Sequence, residues 1–271
     1  MSYFRAIFQK QEISERALDL TQETIMTSQG QYTAWTYRRK LLHALGKNLG
    51  YEIMWLNQIG LHFQKNYQIW HHRRCIFEMW ARAVYAHRKE KEKEDKKEGA
   101  EEEEEIYEKP MKDYIKELID NELQFMDEIF ESDAKNYHGW SHKIWLIERY
   151  ELWTEARHLE FLEDLLDKDV NNNSVWSFRY FLMERRNLGM FSKASVNMEL
   201  RYVVEKRIPQ DWRNEAAWTY LRGYLATSKK EAEDSMNTNA KKCFILEFDW
   251  LLKIIKEWAK IACYSSFQDM L

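Results

Sequence analysis

Five short segments of this chain repeat one chemical arrangement. Each ends on a tryptophan: Trp35, Trp70, Trp140, Trp176 and Trp218. Five residues earlier stand Gly30, Lys65, Lys135, Asn171 and Arg213; three residues earlier stand Tyr32, Tyr67, Tyr137, Asn173 and Glu215. Ammonium groups, phenol hydroxyls and amides at the start of a helix join the free backbone N–H groups and the positive dipole end found there. All of these favour an anion, a phosphate above all. A plainer explanation is that they cap the helices and wet the surface, and periodicity alone does not separate the two. The tryptophans themselves read as packing. The pairs Arg38-Arg39 and Arg73-Arg74, with Arg179 and Arg222, read as guanidinium forks tying neighbouring helices to carboxylates or carbonyl ends.

The elements that carry these groups follow from the spacing. Successive tryptophans are 35, 70, 36 and 42 residues apart, and the second interval is two periods long because a charged stretch lies within it. Asn66 is a natural N-cap, and Trp70, Arg73, Arg74 and Phe77 then fall along one side of a helix. Trp35, Arg38, Arg39 and Leu42 repeat the offsets, as do Trp140, Lys143, Ile144 and Ile147. Other amphipathic segments lie between, at 51–63, 114–130, 152–166 and 195–204, with a further pair over 4–21. The strongly aromatic 244–264 reads as a cap on the far end. A period near 35 made of helices is an all-α fold, an α-α superhelix or solenoid of helical hairpins. The expected organisation is a single helical-repeat domain over 1–271 with a charged insertion at about 88–105. That insertion lacks an apolar face and reads as a solvated helical extension or a loop.

Composition agrees: 2 Pro and 8 Gly in 271 residues leave little material for the turns of a sheet protein. A net charge of −4 argues against nucleic acid as a general partner. Cys75, Cys243 and Cys263 are too few for a disulfide framework or a complete zinc site, and no Cys/His/Asp cluster has metal-ligand spacing. His71 and His72, adjacent on a helix, point to different faces and make a poor metal pair. The first residues carry no basic and apolar signal, and no apolar run reaches the roughly 20 residues that span a bilayer. A cytoplasmic protein without stable membrane insertion is the expectation.

At the motifs themselves the chain resembles a known family. Lys65-Asn66-Tyr67-Gln68-Ile69-Trp70-His71-His72-Arg73-Arg74, Asp133-Ala134-Lys135-Asn136-Tyr137-His138-Gly139-Trp140 and Asn172-Asn173-Ser174-Val175-Trp176 are similar to successive repeats of protein prenyltransferase α subunits. Within that family the likeness is greatest to the α subunit shared by farnesyltransferase and geranylgeranyltransferase type I. The resemblance implies an α-α superhelix wrapped around a β subunit. It also implies transfer of a farnesyl or geranylgeranyl group from its diphosphate to the Cys of a C-terminal CaaX motif, with activity only in the heterodimer. Zinc belongs to the β subunit, and magnesium can assist with the diphosphate.

Residue by residue, the resemblance implies that Lys65 meets the diphosphate with Tyr67 beside it as the catalytic pair. Asn136, Tyr137 and His138 complete the isoprenoid-diphosphate contacts. Gln68 meets the peptide carboxylate, and Tyr32 borders the pocket for the last peptide side chain. Gln31 departs from the usual Asn, and Lys143 from the usual Arg. A non-catalytic helical-repeat scaffold would explain the period but not the Lys-Asn-Tyr strings. A Rab geranylgeranyltransferase α subunit is the other alternative.

Overall fold

Each hairpin turns at a four-residue segment that its own polar side chains close. The computed structural model describes residues 2–98, 111–186 and 193–234. In the turns 28–31, 63–66, 133–136, 169–172 and 211–214, the fourth backbone N–H donates to the first carbonyl at 3.0–3.1 Å. All five motif tryptophans then donate their indole N–H to the carbonyl six residues back, at 2.7–3.0 Å. Asn66, Asn136, Asn172 and Asn214 cap the following helices, accepting from the N–H groups of Gln68, Gly139, Ser174 and Ala216. Gln31 makes no such side-chain cap, so its departure from Asn has a local cost in the first repeat. The tryptophans are therefore latches of the turn as well as core.

The chain divides into two compact units, Met1–Leu152 and Trp153–Leu271. In the first, α1 (Ser2–Gln9), α2 (Glu15–Thr27), α3 (Tyr32–Ala44), α4 (Leu49–His62) and α5 (Tyr67–Glu98) precede α6 (Met111–Tyr114), α7 (Lys116–Ser132) and α8 (Tyr137–Tyr150). The motif helices α3, α5 and α8 pack in succession, with α2, α4 and α7 each paired to the motif helix that follows it. The second unit holds α9 (Arg157–Lys168), α10 (Asn173–Arg186), α11 (Lys193–Arg201), a π turn (Tyr202–Arg207), a 3-10 turn (Ile208–Gln210) and α12 (Glu215–Asp234). There α12 packs on α10, so a fifth hairpin follows the fourth. Every described element is a helix or helical turn, as the spacing predicts.

Buried ion pairs join the hairpins. Arg38 grips Glu52 through two bonds of 2.7 Å, Arg73 grips Glu122 at 2.7 and 2.6 Å, and Arg179 grips Glu199 at 2.5 and 3.1 Å. Each guanidinium lies over the ring three residues after its glutamate: Trp55, Phe125 and Tyr202. The motif helix of the next repeat completes each junction, with His72 on Glu52, His142 on Glu122 and Tyr220 on Glu199 at 2.8, 2.5 and 2.6 Å. A polar side chain 16 residues before each Arg supplies a fourth partner: Gln22, Asn57 and Glu163. Lys143 keeps that rule with Asp127 at 3.3 Å, but a single ammonium cannot make the fork. The expectation of forks to carboxylates holds for Arg38, Arg73 and Arg179, while Arg39 and Arg74 reach the imidazoles of His72 and His142 instead.

The histidines of these junctions dominate the acid sensitivity expected of the fold. Burial pushes His72 down to about 4 against the pull of Glu52, and burial likewise lowers His142. In both, the folded value lies below the ordinary 6.5, so an unfolded chain takes up protons first as pH falls. The stability of the neutral rings is complete above pH 6.5 and is lost on descending toward pH 4, on the order of 3 kcal/mol for His72. Glu122 behaves differently: burial would raise it, yet Arg73 and His142 hold it at about 2, and its contribution persists to lower pH. Urea unfolding at pH 7.5 and pH 5.5 is expected to show this early loss, reduced in His72→Gln. Equal midpoints at the two pH values would contradict it.

The charged stretch from Arg88 opens as a helical extension of α5. Helix α5 runs through residue 98, and its final turns grip α6: Arg88 donates to the Tyr114 carbonyl, and the Tyr114 hydroxyl donates to Glu92, each at 2.5 Å. Tyr85 packs edge-on against the same ring. Residues 88–92 are thus structural, and 99–105 lie outside the described residues, as do 244–264, Cys243 and Cys263.

Candidate functional site

The turn before α5 and the turn before α8 lie side by side. Gln64 donates to the Ser132 hydroxyl at 3.0 Å, and the Asn136 amide reaches the Gln64 side-chain oxygen at 3.3 Å and its carbonyl at 3.5 Å. The Gln64 carbonyl is also the acceptor of the Trp70 indole, so one oxygen joins latch, turn and neighbouring turn. The second unit repeats the device: the Asn214 amide donates to the Val170 carbonyl that already takes the Trp176 indole.

This coupling brings together six of the seven residues singled out above. Lys65 precedes α5 and is exposed, and Tyr67 opens the helix with 60% of its surface free. Tyr137 opens α8 at 78% exposure, with the His138 ring 5.5 Å from its own, and Asn136 is buried as cap and bridge. Gln68 turns inward: only 2% of it is exposed, and its Oε1 accepts no hydrogen bond among the described residues. Tyr32 opens α3 one hairpin earlier, also 60% exposed, and is related to the others by its place in the repeat. Three tyrosines exposed at the same register are not core residues, which disfavours packing as their explanation.

The field at this face is positive. His71, one turn after Tyr67, is held below its ordinary value by partial burial and by the charges of Arg39 and Arg74. Neither α5 nor α8 carries an acidic residue in its first turn, so the N-terminal dipoles are uncompensated. With Lys65 and Lys135 in the adjoining turns, the arrangement can bind an anion and stabilise charge that grows on it. Among the described residues no group of three or more His, Cys, Asp or Glu is placed to hold a metal. No helix of the described residues is long and apolar enough to cross a membrane.

Sequence reasoning named the arginines but missed their partners. Glu52, Glu122 and Glu199 are the buried acceptors, and His72 and His142 the bridges. One signal for them was present: Glu52 to His72 and Glu122 to His142 are both separated by 20 residues.

Known proteins resemble the chain in these same segments. The protein prenyltransferase alpha subunit repeat matches residues 14–45, 49–80, 119–150 and 156–186. The fifth hairpin, with Trp218 latched as in the other four, lies beyond those matches. A Schizosaccharomyces pombe protein farnesyltransferase/geranylgeranyltransferase type-1 subunit alpha is 47% identical over 79 residues, which are 29% of this chain and 27% of that protein. The Arabidopsis thaliana protein of the same description is 45% identical over 60 residues, 22% of this chain and 18% of its own length. The matched stretch thus spans about a quarter or less of these relatives. Among solved structures, Candida albicans protein geranylgeranyltransferase-I complexed with GGPP aligns with a TM-score of 0.66 and 29% identity, covering 83% of this chain and 65% of that one.

Proposed function

We propose that this chain, which belongs to the protein prenyltransferase α-subunit family, is the α subunit of a heterodimeric CaaX prenyltransferase of the farnesyltransferase/geranylgeranyltransferase type I kind. The observation that carries this reading is the pair of hydrogen-bonded turns presenting Lys65, Tyr67 and Gln68 beside Asn136, Tyr137 and His138. In the reaction a cysteine sulfur forms a bond to C1 of farnesyl or geranylgeranyl diphosphate as the C1–O bond breaks and diphosphate departs. Zinc, held by the β subunit, supplies the cysteine as thiolate, and magnesium can share the charge of the diphosphate.

This chain's part is electrostatic. Lys65 and the open N-terminus of α5 lie where negative charge accumulates on the leaving group, and Tyr67 adds a hydroxyl donor. Asn136 holds the second turn in place, so Tyr137 and His138 meet the isoprenoid diphosphate from the adjoining helix. Gln68 offers a buried amide with an unused end. With its NH2 turned to that side, an orientation that hydrogen-bond partners alone decide, it donates to the peptide carboxylate. Tyr32 borders the last peptide side chain. Assembly with a β subunit covers the exposed aromatic row, and a cytoplasmic location follows from the same reading.

Co-expression with a prenyltransferase β subunit tests it. The expected result is a stable heterodimer that transfers isoprenoid to a CaaX peptide while neither chain alone does. A chain that purifies as a stable monomer and ignores every β subunit would point to a scaffold. Activity that depends on an escort protein would point to the Rab-type enzyme.

A further inference from the structure

His72 stands one turn after Gln68 on α5, and His142 one turn after His138 on α8. Both imidazoles are fully buried. Each bridges its own hairpin and the one before in the same way. The Nε2 of His72 meets Glu52 of α4 at 2.8 Å while its Nδ1 faces Arg39 of α3 at 3.4 Å. The Nε2 of His142 meets Glu122 of α7 at 2.5 Å while its Nδ1 accepts from Arg74 of α5 at 3.4 Å. A carboxylate only accepts and a guanidinium only donates, so one form satisfies both neighbours: the neutral ring with its proton on Nε2. Charged groups facing the rings are Arg38, Arg39 and Glu52 for His72, and Arg73, Arg74 and Glu122 for His142. The ring of Trp35 or Trp70 lies against each imidazole, at 4.9 and 5.4 Å between centroids.

We infer that His72 and His142 are positioning residues, each fixing the first turn of its helix against the partner helix of its own hairpin and the motif helix of the hairpin before. His72 thereby sets the peptide-facing turn with Gln68, and His142 sets the isoprenoid-facing turn with Asn136, Tyr137 and His138. The two turns are joined to one another through the Gln64–Asn136 and Gln64–Ser132 bonds, and each has in its histidine a further hold on the scaffold. This rests on the prenyltransferase reading for the identity of the two substrates, and on geometry for the bridges.

The prediction is a split that loss of folding alone does not produce. In the heterodimer, His72→Asn keeps an amide near Arg39 but is too short for Glu52. It is expected to raise KM for a CaaX peptide about tenfold, the size of one hydrogen bond to a charged partner, and, since Lys65 and Tyr67 share that turn, to raise KM for the isoprenoid diphosphate by less than about threefold. His142→Asn is expected to do the reverse. His→Gln, whose amide nitrogen overlays Nε2, is expected to restore each constant to within about threefold. Unchanged KM values with only a smaller active fraction would overturn the inference, as would equal rises in both constants. If an Asn variant fails to assemble, the matching Gln variant decides, since its slightly displaced donor must still move one constant more than the other. A wild-type heterodimer without transferase activity would defeat the functional reading instead. The bridges would then be tested by imidazole nitrogen NMR, where a proton found on Nδ1 of either ring is the contrary result.

Discussion

Lys65→Ala is expected to slow the single-turnover chemical step by about 10²–10³, the usual cost of one preorganised charge-stabilising donor. Binding of a CaaX peptide, measured separately, is expected to change less than about threefold. The asymmetry follows from where the charge is. Before reaction the ester oxygen is bonded to C1 and carries no formal charge; as C1–O breaks it takes the bonding electron pair, and the diphosphate gains a further negative charge. An ammonium group beside it therefore binds the transition state more tightly than the ground state, which lowers the barrier and not merely KM. Lys135 occupies the same place in the next repeat and serves as an internal control. Its removal is expected to matter less, because on the proposed registration the lysine that meets the diphosphate is the one a repeat earlier. Tyr67→Phe is expected to show a smaller effect of the same sign, since a neutral hydroxyl carries less field. Normal turnover in Lys65→Ala with a crippled Lys135→Ala would move the site by one repeat.

What the sequence revealed and what it hid divide along the range of the interactions. The N-caps, the turns and the tryptophan positions are local. Asn66 to Trp70 contains its own turn chemistry, and a reader needs nothing distant to place the helix start. The donor row is legible for the same reason, since Lys65, Tyr67 and Tyr137 sit at fixed offsets from a helix end. The junction acceptors are not local. Arg73 and Glu122 are 49 residues apart because the charged stretch intervenes, whereas Arg38 and Glu52 are 14 apart, so no single spacing announces them. Helix boundaries failed where a distant side chain overrides propensity. The segment 152–166 begins its helix only at Arg157, and Arg186 holds the carbonyls of Trp153 and Glu155 just ahead of it. The segment 195–204 continues into a π turn that puts Tyr202 beside Arg207, whose guanidinium also binds Glu163 and Asp167. The contacts of the charged stretch are hidden in the same way, because Arg88 and Glu92 look solvated until Tyr114, 22 and more residues later, is seen between them.

Arg73→Met is expected to be among the most damaging single changes to the fold, costing about 3–5 kcal/mol at pH 7.5. The Arg73 and Glu122 side chains are 1% and 2% exposed, so truncation leaves a buried carboxylate whose main counter-charge has gone. The residual partner is His142, already 2.5 Å away. Once Arg73 no longer repels its proton, that ring can charge and replace the lost cation. The variant is therefore expected to recover stability as pH falls from 7.5 toward 6, while the wild type gains nothing over that range. Replacing both partners, Arg73→Met with Glu122→Leu, is expected to be milder than the single change, because no buried charge is left alone. Arg82→Met supplies the contrast: its pair with Glu78 is two-thirds exposed on the Arg side, and such pairs are worth about 0–1 kcal/mol. Urea unfolding of the three variants and the wild type, in the oligomeric state in which the wild type is isolated, measures these differences. An Arg73→Met protein as stable as Arg82→Met would mean that the forks between hairpins are ornamental. The repeats would then be held together by their aromatic contacts alone, and the turns that present Lys65 and Asn136 would owe their register to packing instead of to charge.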